Sequence, residues 1–228
     1  MPNLSEKEVQ KTAQAFLYHR YKKKARKGKI FSKLEARTRR EYGGKRADGL
    51  LAFHHYIWGA YTISMEAKSF KTLASMKPVR SDNLLLWNSL KAGLICCIMS
   101  GMFFAFYRLD DGFMQILLPI NTLVCSALIY GFFTSNSYRH KTVNVIRQLA
   151  QYPANERWLA FSNDSLKSLS KDQLKKLDKI CKYKGIGIVV VSKKGRAEAY
   201  RSAAMRWKWF GDFIKYYSSE KKIREGIR

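Results

Sequence analysis

Two apolar runs lie back to back in the middle of an otherwise strongly basic chain, and no other feature restricts the fold as much. Residues 84–107 read LLLWNSLKAGLICCIMSGMFFAFY, with Lys91 as the single charge, and residues 113–133 read FMQILLPINTLVCSALIYGFF. Each is close to the ~20 residues that a helix needs to cross a ~30 Å hydrocarbon core. Apolar residues surround both predicted helices instead of forming a stripe, which argues against the buried core hairpin of a soluble protein. The connector Arg108-Leu109-Asp110-Asp111-Gly112 is short enough to force an antiparallel hairpin. Gly93 and Gly101 allow the two helices to approach closely, and Pro119 with Asn121 predicts a kink in the second. Lys91 lies within two turns of the helix start, where its stem can snorkel to the interface.

The flanks set an orientation. Lys71, Lys77 and Arg80 precede the first run, and Arg139, Lys141 and Arg147 follow the second, whereas the connector holds one arginine and two aspartates. Positive residues stay inside, so the expectation is an integral membrane protein with two spans and both termini cytoplasmic, in a bacterial inner membrane. The polar first ten residues lack the apolar stretch of a cleaved signal peptide. Cys96, Cys97, Cys125 and Cys181 form no CxxC pair and have no histidine at metal-ligand spacing, so they read as small apolar residues in a reducing compartment.

With 43 Lys+Arg against 17 Asp+Glu, the 228 residues carry a formal charge of +26. Two partners commonly offset so much self-repulsion: nucleic-acid phosphate and an anionic membrane surface. The basic stretch KKKARKGK at residues 22–29 suits either one. No Walker loop, GxGxxG, GxSxG or HExxH is present, which leaves nucleotide hydrolysis and zinc proteolysis without support.

Outside the hairpin the chain alternates helix and strand patterns. Residues 5–24 read as a helix capped by Ser5, with Glu8 in the first turn and a stripe of Val9, Ala13, Phe16 and Leu17. Three strand-like segments follow at residues 30–39, 46–54 and 61–70. After the hairpin come a helix at 138–151, a strand at 157–162, a helix from about 164 to 183 and a buried strand at 185–192. A turn at 193–196 leads to one more strand. The tail places Trp207, Phe210, Ile214 and Tyr217 at helical spacing, as an interfacial amphipathic helix or a helix packed on the domain. The implied organisation is one α/β half in residues 1–80, a transmembrane hairpin in 84–134, a second half in 138–204, and a basic aromatic tail in 205–228.

One group of residues has the composition of a reactive site. Thr62, Ser64, Glu66 and Lys68 share one face of the third strand, opposite Tyr61, Ile63, Met65 and Ala67. Asp48 lies near the start of the preceding strand. In an antiparallel ribbon, Asp48 and Glu66 converge on one divalent cation, with Lys68 beside them. Two carboxylates suit a hard ion such as Mg²⁺ or Mn²⁺ that keeps waters for reaction. A neighbouring ammonium can position such a water and offset charge developing on a phosphate. The bland reading makes Glu66 and Lys68 an ion pair and Asp48 a turn residue before Gly49. His54-His55 read more simply as a polar loop after a strand than as ligands.

Asp48, the ExK element Glu66-Ala67-Lys68 and the order helix, three strands, helix, strand together resemble the PD-(D/E)xK nuclease superfamily. The resemblance covers the soluble parts and makes the hairpin an insertion into a restriction-endonuclease-like α/β core. It implies that Asp48 and Glu66 bind the metal and that Lys68 assists the nucleophilic water. Many members add an acid from the first helix, for which Glu8 is the choice here and Glu6 the alternative. Ala47 stands where the motif has proline. The implied activity is hydrolysis of phosphodiester bonds, in DNA for preference, by a membrane-anchored enzyme lying against anionic headgroups. The rival from another class is a non-catalytic nucleic-acid or lipid-binding protein on a degenerate nuclease fold. A small channel is a third reading, supported only by Gln115, Asn121, Thr122 and Ser126. A homodimer paired through the hairpin is compatible with each.

Overall fold

A computed structural model of the chain describes residues 4–69, 78–106, 112–135, 137, 140–209 and 211–228. Phe70, Lys71, Lys77, Tyr138, Arg139, Phe210 and residues 108–111 of the connector, which the sequence reading uses for helix, strand or topology, lie outside the described residues. The chain divides into two compact units: residues 1–78 with 143–228, and residues 79–142. The segments on either side of the hairpin therefore form one unit.

That unit is a mixed α/β fold around a six-stranded sheet. Its strands are β1 (Ala25–Arg37), β2 (Arg46–His55), β3 (Gly59–Lys68), β6 (Glu156–Ser162), β7 (Ile186–Val191) and β8 (Ala197–Arg201), in the order β1-β2-β3-β6-β7-β8. β1, β2 and β3 form an antiparallel meander, while β3–β6 and β6–β7 pair in parallel. The parallel pairs need crossover connections. The first contains α4 (Asn144–Ala150), and the second contains α5 (Asn163–Ser168) and α6 (Lys171–Lys184). Between β6, to which it is parallel, and β8, to which it is antiparallel, β7 is buried along its whole length, as a run of glycine, isoleucine and valine predicts.

Helix α1 (Glu6–Lys22) starts in a capping box in which the Ser5 side chain accepts the Glu8 N–H and Glu8 reaches back to the Ser5 main chain. Val9, Ala13, Leu17 and Tyr21, spaced by four, are buried against Leu51, Phe53, Ile63, Met65 and Trp158 on one sheet face. The alternate residues Leu50 and Ala52 face the other way, where Ile214, Tyr217, Ile223 and Ile227 cover them.

Three expectations need correction. The single helix from 164 to 183 is two helices, because Ser170 caps α6 in a second capping box with Gln173 and Leu169 before it is extended. The helix at 138–151 shrinks to α4, because the β-branched Thr142 and Val143 belong to β5 (Lys141–Val143), which pairs with β4 (Pro78–Arg80). The tail is no amphipathic helix through Trp207 and Tyr217. Gly211 adopts φ +71°, and the Asp212 carboxylate takes the Ile214 and Lys215 N–H groups in a local turn. Ile214 and Tyr217 then enter the core, and α7 (Glu220–Ile227) follows.

The second unit is a pair of helices, α2 (Asp82–Phe106) and α3 (Gly112–Thr134). Asp82–Phe103, with mean hydropathy 1.4, and Ile116–Thr134, with 1.9, are long and apolar enough to cross a membrane. A Cβ placed on Gly93 would lie 2.6 Å from the Leu123 carbonyl oxygen and 3.1 Å from the Ala127 methyl, so glycine sets the spacing of the pair there.

Candidate active site

The β2–β3 register pairs Gly49 with Met65, which puts Asp48 opposite Glu66 on the sheet face away from α1. The Asp48 carboxylate extends the ladder by one rung, accepting the Ala67 N–H at 2.8 Å. From the other side, Gln10 of α1 donates its side-chain amide to the Asp48 carbonyl. Glycine is required next in the chain, because a Cβ at Gly49 would collide with the Gln14 amide oxygen and lie 2.8 Å from Met65 Cε. Helix and ribbon together hold Asp48 against the end of β3.

Glu66 and Lys68 project from β3 on the same face and are buried, 4% and 8% exposed. Lys68 Nζ donates to Glu66 Oε1 at 2.9 Å and lies 3.7 Å from Glu6 Oε1. Glu66 Oε2 is buried and, among the described residues, has no hydrogen-bond partner. Tyr152, 5% exposed in the connection before β6, completes the surroundings.

Burial, and then the Asp48 charge, push the Glu66 carboxyl up to about 7 from its ordinary 4.5, against the pull of Lys68. Burial also raises Asp48, although the Ala67 N–H and Lys68 draw it back. For Lys68, burial favours the neutral amine, but Glu66, Glu6 and Asp48 together outweigh it and raise the ammonium above its usual range. The Tyr152 phenol is raised by burial and by the two carboxylates. The group therefore contains a firm cation and a carboxyl poised near neutrality.

The structure thus brings Asp48, Glu66 and Lys68 together and does not bring Glu8 to them. The Glu8 carboxylate accepts from the Ser5 main chain and hydroxyl, each at 2.7 Å, which also lowers its affinity for protons. The first-helix acid beside the group is Glu6. The Ser5-x-x-Glu8 pattern carried this information, since a capping box already employs its glutamate. Tyr152 and Gln10 lie in no motif and left no comparable signal.

Among the described residues no three His, Cys, Asp or Glu side chains are gathered to hold a metal on protein ligands alone. An ion that keeps several waters needs only one or two carboxylates, and the unpartnered Glu66 Oε2 supplies a free donor atom. Asp48 and Glu66 fit such an ion. Comparison of the chain with family models, with curated proteins and with solved structures gives no match.

Proposed function

We propose that the chain is a membrane-anchored, Mg²⁺- or Mn²⁺-dependent nuclease of PD-(D/E)xK type that hydrolyses phosphodiester bonds, DNA for preference, at the cytoplasmic face. The carrying observation is a half-buried Asp48 set opposite a buried Glu66, whose Oε1 takes the Lys68 ammonium and whose Oε2 has no hydrogen-bond partner among the described residues. Isolated from a metal, that pair is costly, because desolvation penalises both carboxylates and they share one lysine. A hard cation would offset the cost and supply a water acidic enough to attack phosphorus.

The roles follow from the groups. Asp48 and Glu66 hold the ion, with Asp48 oriented by the Ala67 N–H and by Gln10. Lys68 stays protonated, so it orients the water and offsets charge on the phosphate without acting as the base. Glu6 steadies the ammonium from α1. The membrane part rests on the length and hydropathy of α2 and α3, and reporter fusions at Lys24 and Lys193 are expected on the same, cytoplasmic side. In the reconstituted chain, Mg²⁺ is expected to support cleavage, with E66A and K68A lowering it by a factor on the order of 10³ or more. Nucleic acid left intact by wild type, or cut equally by E66A, rejects the reading. The direct Lys68–Glu66 contact at 2.9 Å is what favours the rival, a binding module in which the two form a plain ion pair. That rival predicts binding without cleavage.

A further inference from the structure

The ribbon β2–β3 has a second functional end. From Asp48 to the tip after His55 it extends seven residues, about 24 Å at ~3.4 Å per residue. The tip turns through Tyr56, Ile57 and Trp58, which are 69%, 74% and 42% exposed. Its main chain is held where the Ile57 N–H donates to His55 Nδ1 at 3.1 Å. Trp207, also half exposed, meets Trp58 edge to face with ring centres 4.8 Å apart. The Trp207 segment is fixed in turn: the Arg206 N–H donates to the Asn155 carbonyl at 2.7 Å, and Asn155 accepts from Thr62 of β3. Trp209, 85% exposed, continues an alternation of cation and ring, Arg206-Trp207-Lys208-Trp209.

At the same end lies a small pocket of about 200 Å³ lined by Arg26, His54, Ile227 and Arg228. His54 Nδ1 is buried and, among the described residues, has no hydrogen-bond partner. Two arginines and an imidazole lining one pocket are groups suited to an anion.

We propose that this end of the sheet is a second subsite for single-stranded nucleic acid, stacking a base on Trp58–Trp207 and taking a phosphate between Arg26, His54 and Arg228. The nuclease reading supplies the ligand class, and the subsite extends it. Exposed tryptophans alone would suit a bilayer interface equally well. The pocket between Arg26, His54 and Arg228 and the alternation of cations with rings favour a nucleotide strand, which offers phosphate and a planar face at every step. A single strand of several nucleotides spans the ~24 Å to Asp48, so one strand can occupy both sites.

The test uses the full chain in nanodiscs with E66Q, so that no substrate is consumed, and reads the anisotropy of a labelled oligothymidylate. W58A/W207A is expected to weaken binding roughly ten- to a hundredfold, with W58F/W207F restoring most of it. R26A/H54A is expected to weaken binding and to flatten its salt dependence. Unchanged affinity in W58A/W207A overturns the proposal. So does quenching of tryptophan emission by a headgroup-labelled lipid that disappears in W58A/W207A, which would assign the tip to the bilayer. If wild type cuts nothing yet binding keeps its tryptophan dependence, the nuclease reading fails and the subsite stands.

Discussion

Phe53, Trp158 and Phe161 in the α/β unit are 0% exposed, whereas Phe103, Phe106 and Phe132 in the helical hairpin are 55%, 83% and 79% exposed. The same kinds of side chain point inward in one unit and outward in the other. Where α2 meets α3 stand small residues: Gly93 against the Leu123 carbonyl and Ala127, and Gly131 against Ser89. The two units differ in where their apolar surface lies. One buries its apolar surface from water, and the other presents it, as a helix pair does in lipid. The charge follows the same division. Residues 79–142 hold five of the 43 basic residues and three of the 17 acidic ones, so +24 of the +26 belongs to the α/β unit.

Within the α/β unit, buried carboxylates depart from the rule of apolar burial. Glu66 and Lys68 are buried beside Asp48, and the Glu66 carboxyl is displaced to about 7. A second buried carboxylate shows how a purely structural one is treated. Glu156 accepts from Tyr21, from Tyr61 at 2.7 Å and from Trp158 at 3.2 Å, so both of its oxygens are occupied. Glu66 Oε2 has no such partner among the described residues.

The largest expected effect separates the two units directly. Phe53→Ala should destabilise the α/β unit by about 3–5 kcal/mol, measured by denaturant unfolding in detergent, and Phe132→Ala by less than ~1 kcal/mol. Equal costs would erase the distinction between the units.

Next in size is the pH dependence of the metal-free protein. A carboxyl at 4.5 unfolded and about 7 folded contributes stability that is fully present below 4.5 and lost as pH rises through about 7. E66Q should therefore stabilise the chain by roughly 1–3 kcal/mol at pH 8 and leave it little changed at pH 4, read by thermal unfolding. The smallest effect belongs to an exposed carboxylate. Glu35 pairs with Arg46 at 3.4 Å in solvent, and Glu35→Gln should shift stability by less than ~1 kcal/mol at either pH.

Much of this was legible in the sequence because it depends on period and on strongly typed residues. Val9, Ala13 and Leu17 mark the α1 face, and the alternation in 61–68 separates Glu66 and Lys68 from Ile63 and Met65. What escaped depends on contacts remote in sequence. Tyr152 reaches Glu66 only because α4 returns the chain over the sheet, and Ile214 and Tyr217 leave helical spacing because they complete a core with Leu50 and Ala52. The break at Ser170 was written in its own capping box, but a continuous helical pattern on either side obscured it. Glu8 and Glu6 are two residues apart, and only the hydrogen bonds at Ser5 separate their roles.

On the proposed reading, Asp48 and Glu66 are held together to bind a divalent cation. Electron paramagnetic resonance of Mn²⁺ titrated into the reconstituted chain tests it without reference to any substrate. The expected result is saturable binding that tightens as pH rises through about 7, where Glu66 gives up its proton, and that weakens on the order of tenfold or more in D48N and in E66Q. Mn²⁺ bound as tightly by D48N and E66Q as by wild type, or with no dependence on pH between 6 and 8, would contradict it.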